Sequence, residues 1–138
     1  MDVLGMDLLR MLVWTGSGAL LLIVLMWIDS LFTKYQDLNE IKNGNVAVTT
    51  RFIMKLFAQG YILAQSLATS NDLRTALLVS FVSFVILFVL EKLVELGLHG
   101  IAGLDLNEGT RQGKVAHALV SGSLHITGAL IIGACLLP

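Results

Sequence analysis

The chain has 138 residues, of which 56% are hydrophobic, and its mean hydropathy is +0.82. Soluble domains are only about 45–50% apolar, so this excess indicates a membrane protein. Nine Lys or Arg and ten Asp or Glu leave a net charge of −1, which excludes a broad basic surface and makes nucleic acid an unexpected partner. A single cysteine, Cys135, excludes an intrachain disulfide and a cysteine metal cluster.

The first apolar segment, "MLVWTGSGALLLIVLMWI" at 11–28, has 18 residues without a charge, which is about the length that spans a bilayer core. We predict a transmembrane helix at about 9–29. Asp2 and Asp7 precede a long apolar core, whereas a cleaved signal peptide has a basic start and a shorter core, so a retained helix is expected. Trp14 and Trp27 lie near its two ends, as in an aromatic belt.

The connector that follows contains "DLNEIKNG" at 37–44. Asp37 and Glu40 have the spacing of a reciprocal N-terminal cap, and Gly44 is a natural C-terminal cap, so we predict a short interfacial helix over 38–43. The same word, DLNE, recurs at 105–108. The alternative is a functional one: the four acidic residues form a cytoplasmic docking or cation-attracting surface. They are Asp37, Glu40, Asp105 and Glu108.

The second predicted helix, at about 46–68, has charged residues in its first half. Arg51, Lys55 and Gln59 follow each other at four-residue intervals and so lie on one side of a helix. Charges at membrane depth usually face a partner, a cavity or the interface. One interpretation is snorkelling to lipid phosphates and pairing with Asp37, Glu40 or Asp105; the other is a binding site for an anionic lipid headgroup or another anion.

The third predicted helix, at about 74–96, contains the charge-free run 75–90. The fourth, at about 115–137, is charge-free apart from His117 and His125. Glu91, Lys92 and Glu95 are expected at the interface, and His99 in a connector. Both in-membrane histidines lie on one helix, so hydrogen bonds between helices are expected rather than haem or metal binding, and no cofactor is predicted.

Small residues recur on the first and fourth predicted helices, in "GSG" at 16–18, "SGS" at 121–123, Gly128 and Gly133. In lipid such residues allow helices to approach closely, so they predict packing surfaces rather than a pore lining.

Positive residues near the ends of the helices predict the orientation. Five lie in the two longer connectors and two lie in the N-terminal tail and the short 69–74 turn. The five are Lys34, Lys42, Lys92, Arg111 and Lys114, and the two are Arg10 and Arg74. This asymmetry places the connectors in the cytoplasm and both termini outside.

The two DLNE words belong to a longer internal similarity. "DLNEIKNGNVAV" at 37–48 matches "DLNEGTRQGKVAH" at 105–117 when one residue is inserted, and "DLLR" at 7–10 resembles "NDLR" at 71–74. The predicted fold is an all-α integral membrane protein with four transmembrane helices, arranged as two parallel-oriented two-helix repeats over residues 1–70 and 71–138.

These residues resemble the YjfL-type family of small bacterial inner-membrane proteins, which are tandem two-helix repeats classed as a domain of unknown function (DUF 350). The likeness covers nearly the whole chain, and about a dozen residues in each repeat carry it. The resemblance implies localisation in the bacterial inner membrane and an association with membrane stress, and it supplies no catalytic residue.

Motifs of common enzymes, such as a Gly-rich phosphate loop, HExxH or paired CxxC, are not found, so no enzyme activity is predicted. We expect a structural or adaptor protein in the lipid bilayer whose DLNE connectors bind a cytoplasmic protein. The alternative is an ion channel or small-solute conduit. It would have to be a homo-oligomer, because one four-helix unit is too thin to enclose a water-filled path.

Overall fold

The structure is a computed structural model that describes residues 3–32 and 37–136, and every regular element in these ranges is an α-helix. The all-α prediction is therefore confirmed for the described part of the chain. In chain order the helices are α1 (Val3–Leu31), α2 (Asp37–Lys42), α3 (Val46–Thr69), α4 (Leu73–Ala102), α5 (Leu106–Arg111) and α6 (Val115–Leu136).

The four long helices have 29, 24, 30 and 22 residues. At 1.5 Å per residue each exceeds the roughly 30 Å of a bilayer core. Only α1, α4 and α6 combine this length with an apolar composition that suits a membrane span. Three of the four predicted spans are thus supported by length and composition, whereas α3 is long enough but too polar.

Two boundaries differ from the prediction. α1 begins at Val3 rather than near residue 9, and α4 continues to Ala102 rather than ending near residue 96. α4 ends where Gly103 adopts a left-handed conformation (φ 68°) and its N–H bonds to the carbonyl of His99. His99 therefore lies in the last turn of α4 and not in a connector. The predictions that involve Asp2, Lys34 and the last two residues lie outside the described residues.

The core lies between α3, α4 and α6. α3 packs most extensively against α6, and also contacts α4 and α1. The central cluster of buried apolar side chains is Ala58, Ile62, Leu87, Ala129 and Ile132. Large apolar side chains also cover the outside of the long helices, as expected for a surface that lipid solvates.

Glycines of α6 allow this close packing. A Cβ atom at Gly122 would lie 2.8 Å from Cβ of Met54, and one at Gly133 would collide with the ring of Tyr61. On α1, a Cβ at Gly18 would lie 3.3 Å from Leu63. The prediction that small residues form packing surfaces is confirmed at these positions.

Candidate functional site

The polar side of α3 faces the inside of the bundle. Arg51, Lys55 and Gln59 are 3%, 4% and 7% exposed, whereas Ile53 and Phe57 of the same helix are 45% and 68% exposed. The four-residue spacing places the three polar side chains on one face, and this face is directed at α4, α1 and α6 rather than at lipid. The candidate lipid or anion contacts are thus inside the chain.

Lys55 forms an ion pair with Asp29, which lies in the last turns of α1. The two side chains are only 5% and 12% exposed. Because a buried charge is stable only when it has a partner of opposite charge, this pair explains how α3 carries a lysine at this depth.

Arg51 lies close to Glu95 on α4, with Nη2 3.6 Å from Oε1. The other oxygen of Glu95 accepts a bond from Lys92 at 3.5 Å. The partners expected from sequence for Arg51 and Lys55 were Asp37, Glu40 and Asp105, so this expectation is corrected: the ion pairs are made with residues of the neighbouring long helices. Asp29 and Glu95 reach α3 because α1 and α4 pack against it.

Glu91 and His125 form a second buried pair, between α4 and α6. Oε1 of Glu91 contacts Nδ1 of His125, and their side chains are 8% and 5% exposed. Apart from this contact both atoms are buried, and neither makes a hydrogen bond in the described ranges. His125 contacts another helix, although the expected hydrogen bond is not made at Nδ1, and Glu91, expected at the membrane interface, is buried between α4 and α6. Helical periodicity contained the signal, since Glu91 lies on the same face of α4 as the buried Phe84 and Leu87.

A small cavity of about 10 Å³ lies between these two pairs. This volume is about the minimum that holds one water molecule. Its polar lining consists of Asp29, Lys55, Gln59, Glu91 and His125. Together with Arg51 and Glu95 these residues form what we call the interior polar network.

The two short helices α2 and α5 end in the same way. Gly44 and Gly113 follow them with φ values of 81° and 88°, and in both connectors the next residue, Asn45 or Lys114, donates its N–H to a carbonyl five residues earlier. This glycine-centred turn satisfies carbonyl groups that the end of a helix leaves free. The predicted short helix over 38–43 and its Gly44 cap are confirmed within one residue.

The DLNE residues have different environments in the two connectors. Asp105 caps α5, because its Oδ1 accepts the N–H of Glu108 at 3.1 Å. Glu108 in turn forms a two-bond pair with Arg111, at 2.9 and 3.1 Å. Asp37 is the first residue of α2 and is only 8% exposed. Burial raises the pKa of Asp37 above its ordinary value, against the opposing charges of Lys55 and Arg51.

Asn45 joins the two connectors. Its Oδ1 caps α3 by accepting the N–H of Val48 at 3.2 Å, while its Nδ2 donates to Oε2 of Glu40 at 3.1 Å and to the carbonyl of Arg111 at 3.0 Å. The α2 and α5 connectors therefore lie side by side at one end of the bundle. Sequence analysis missed this role, although Asn directly before an apolar helix is a recognised cap signal.

His117 lies where α6 meets α5. A Cβ atom at Gly109 would collide with its ring, so the glycine makes room for the imidazole. Nδ1 of His117 has no hydrogen-bond partner among the described residues. The expected hydrogen bond between helices is therefore not made at this nitrogen.

The comparisons with known proteins settle the family. A model of the family described as Domain of Unknown Function (DUF350) matches residues 3–136. The chain belongs to the DUF350 family. No curated protein and no solved structure matches the chain.

The DUF350 match extends from α1 to α6, so it includes both connectors and the whole interior polar network. The suspected family is confirmed. Since the description of the DUF350 family states no activity, a function for this member has to be argued from its own residues.

Proposed function

We propose that this DUF350 protein is a four-span structural or adaptor component of a bacterial inner membrane, with α3 as the fourth span. The 24 residues of α3 reach about 36 Å, which suffices to cross the bilayer core. Its polar residues are buried against other helices, and Asp29 and Glu95 supply countercharges for Lys55 and Arg51. Such pairing removes the main physical objection to a charged span.

The element order supports two parallel repeats. A long helix, a six-residue helix and another long helix occur in this order twice, and both six-residue helices end in the same glycine-centred turn. In this arrangement both connectors lie on one side of the membrane. The positive residues Lys42, Arg111 and Lys114 of the connectors favour the cytoplasmic side for them and the outside for both termini.

The adaptor role is supported by one observation: Asn45 ties the two connectors into a single surface. Its exposed groups include Leu38, which is 66% exposed, and the polar side chains of Lys42, Asp105 and Arg111. An apolar anchor surrounded by charges of both signs suits a protein partner better than a simple cation. Beside it, an open groove of about 360 Å³ separates the end of α4 from α5.

Among the four acidic residues considered for docking, we assign the contact to Asp105. Asp37 is buried, Glu40 accepts a bond from Asn45, and Glu108 is paired with Arg111, whereas Asp105 is exposed although its Oδ1 caps α5. The proposed partner is a cytoplasmic protein, and the proposal includes neither a catalytic reaction nor a cofactor.

Photo-crosslinking from two positions tests this role in whole cells. A photoreactive residue in place of Lys42 is expected to capture one cytoplasmic protein, and capture is expected to fall when Asn45→Ala separates the connectors. The matched control has the photoreactive residue in place of Asn71, in the turn at the opposite end of the bundle. Equal capture from both positions, or capture that Asn45→Ala leaves unchanged, would contradict the adaptor role.

An oligomeric conduit is the second candidate, favoured by the wide exposed apolar surface of α1. Only 11% of the most apolar stretch of α1 is buried inside the chain, so most of its surface is available to lipid or to another copy of the chain. Because the interior cavity of one chain is about 10 Å³, conduction would require several copies. A defined ring in mild detergent together with ion flux in liposomes would support the conduit; a monomer without flux would exclude it.

A further inference from the structure

A carboxyl group and an imidazole meet in the interior of the bundle, on the two long helices that the α5 connector joins. Glu91 of α4 and His125 of α6 contact each other through Oε1 and Nδ1, and the two residues are 7% and 4% exposed. We propose that Glu91 and His125 together form a binding site for one proton. This site goes beyond the adaptor role and does not depend on it.

A hydrogen bond between a carboxyl group and an imidazole contains one proton. With a carboxylate and a neutral imidazole, the proton on Nδ1 forms the bond and the pair carries one negative charge. Uptake of one more proton gives either a carboxylic acid or an imidazolium, and the pair becomes neutral overall. The two groups therefore exchange a proton as a unit rather than as independent residues.

The charged groups around the pair come from three helices. They are Asp29 on α1, Arg51 and Lys55 on α3, and Lys92 and Glu95 on α4. Lys55 is paired with Asp29, and Arg51 and Lys92 both lie near Glu95, so the cations already have anionic neighbours other than Glu91. The contact of Glu91 is with His125, a residue that can gain or lose a proton.

The pair itself lines the small cavity, next to other polar groups. Oε1 of Gln59, which also lines the cavity, is buried without a hydrogen-bond partner in the described part of the chain. Oγ of Ser121, one turn before His125 on α6, is likewise buried without a hydrogen-bond partner in the described residues. Ser121 lies between His125 and the end of α6 that is next to the connectors. A water molecule in the cavity would satisfy Gln59, and water and hydroxyl groups are the usual carriers of a proton through a protein interior.

The arrangement differs from that of the other two histidines. His99 is exposed in the last turn of α4, and His117 lies against Gly109 near α5. Neither has a carboxylate contact among the ion pairs of the described residues. They therefore provide built-in controls for the behaviour of His125.

The test follows both groups in the full chain, reconstituted in lipid vesicles. Nitrogen NMR of labelled histidines reports the imidazoles, and infrared spectroscopy reports the carbonyl stretch of a protonated carboxyl group, each over a pH titration. We expect a carboxyl band and the His125 signal to change with one shared midpoint. Glu91→Gln should remove the band and change the proton affinity of His125 at least about tenfold. His99→Gln should alter neither.

Three results would overturn the site. They are separate midpoints for the two groups, absence of a titration in either group while the protein stays folded, and an unchanged His125 titration in Glu91→Gln. If Glu91→Gln does not fold, the shared midpoint in the wild-type protein still decides the matter. Glu91→Asp then serves as the second variant, since it keeps a carboxyl group and should retain a coupled titration with an altered midpoint.

Discussion

Lys55 of α3 and Asp29 of α1 form an ion pair whose side chains are 5% and 12% exposed. α1 is the most exposed long helix and has fewer contacts with α3 than α4 or α6 has. The pair therefore attaches α1 to α3, and it also neutralises a charge in the first half of α3. The charged stripe of α3, which the sequence alone suggests to lie at the surface, thus connects α3 to α1 inside the bundle.

The first prediction concerns this pair. Lys55→Ala should destabilise the protein by about 3–5 kcal/mol, because it removes the countercharge of Lys55 from the largely buried carboxylate of Asp29. Thermal unfolding in detergent micelles measures the change. Asp29→Ala combined with Lys55→Ala should be less harmful than the two single effects added together, because neither charge then remains alone.

Lys92→Ala is the matched control for this prediction. Lys92 also pairs with a carboxylate, but its side chain is 37% exposed, so its removal should change stability by less than about 1 kcal/mol. Equal effects of Lys55→Ala and Lys92→Ala would mean that the interior pair is not protected from solvent.

The second prediction concerns Asn45. Asn45→Ala should destabilise the chain by more than the roughly 0.5–2 kcal/mol of a lost N-terminal cap, because two further hydrogen bonds join the connectors. Asp72→Ala is the control, since Asp72 caps α4 through Thr75 at the other end of the bundle. Chemical denaturation can compare the two; a smaller effect for Asn45→Ala would speak against the joined connectors.

The third prediction concerns helix packing. Gly122→Ala should destabilise the protein by about 1–3 kcal/mol, because its new methyl group meets Met54 close to the backbone of α3. Gly60→Ala has open space around the new methyl group and favours helix, so it should be neutral or stabilising. Unfolding temperatures of the two variants, measured in the same detergent, are the comparison. Similar losses in both would refute the close contact of α3 and α6.

The fourth prediction concerns pH. Burial raises the pKa of Asp37, so the folded state binds this proton more tightly than the unfolded state does. The contribution of Asp37 to stability therefore increases as the pH falls through the raised pKa, and at higher pH its buried carboxylate is unfavourable. Asp37→Asn should raise the unfolding temperature near neutral pH and remove this dependence.

Asp72 provides the opposite sign for comparison. Its hydrogen bond with Thr75 lowers the pKa of Asp72, so its stabilisation is present above the ordinary pKa and is lost as the pH falls through the lowered value. Asp72→Ala should therefore be harmful near neutral pH and nearly harmless in strong acid. If Asp37→Asn follows the pattern of Asp72→Ala, the carboxyl group of Asp37 is not held in a buried place.

Much of the fold could be predicted from local patterns. Uninterrupted apolar runs indicated α1, α4 and α6, and the spacing of Asp37, Glu40 and Gly44 indicated α2, because caps act within a few residues of where they occur. The family was also recognised from the residues around both DLNE words. These features need no information about which helices are neighbours.

The interior polar network could not be predicted in the same way. Which carboxylates reach Arg51 and Lys55 depends on how α1 and α4 pack against α3 and how they are turned, and neither is encoded near residue 51. The contact of Glu91 with His125 likewise joins positions that only the packing of α4 against α6 brings together. Asn45 was overlooked because its side chain reaches a carbonyl on the other connector.

The central claim, that α3 crosses the membrane inside the bundle, is tested most directly by cysteine labelling in a Cys135→Ser background. Single cysteines replace Lys42 and Gln112 in the connectors and Asn71 in the turn after α3, and a membrane-impermeant maleimide is added to intact cells and to permeabilised cells. We expect labelling of position 71 in intact cells, and labelling of positions 42 and 112 only after permeabilisation. Positions 42 and 71 on the same side of the membrane would contradict the account.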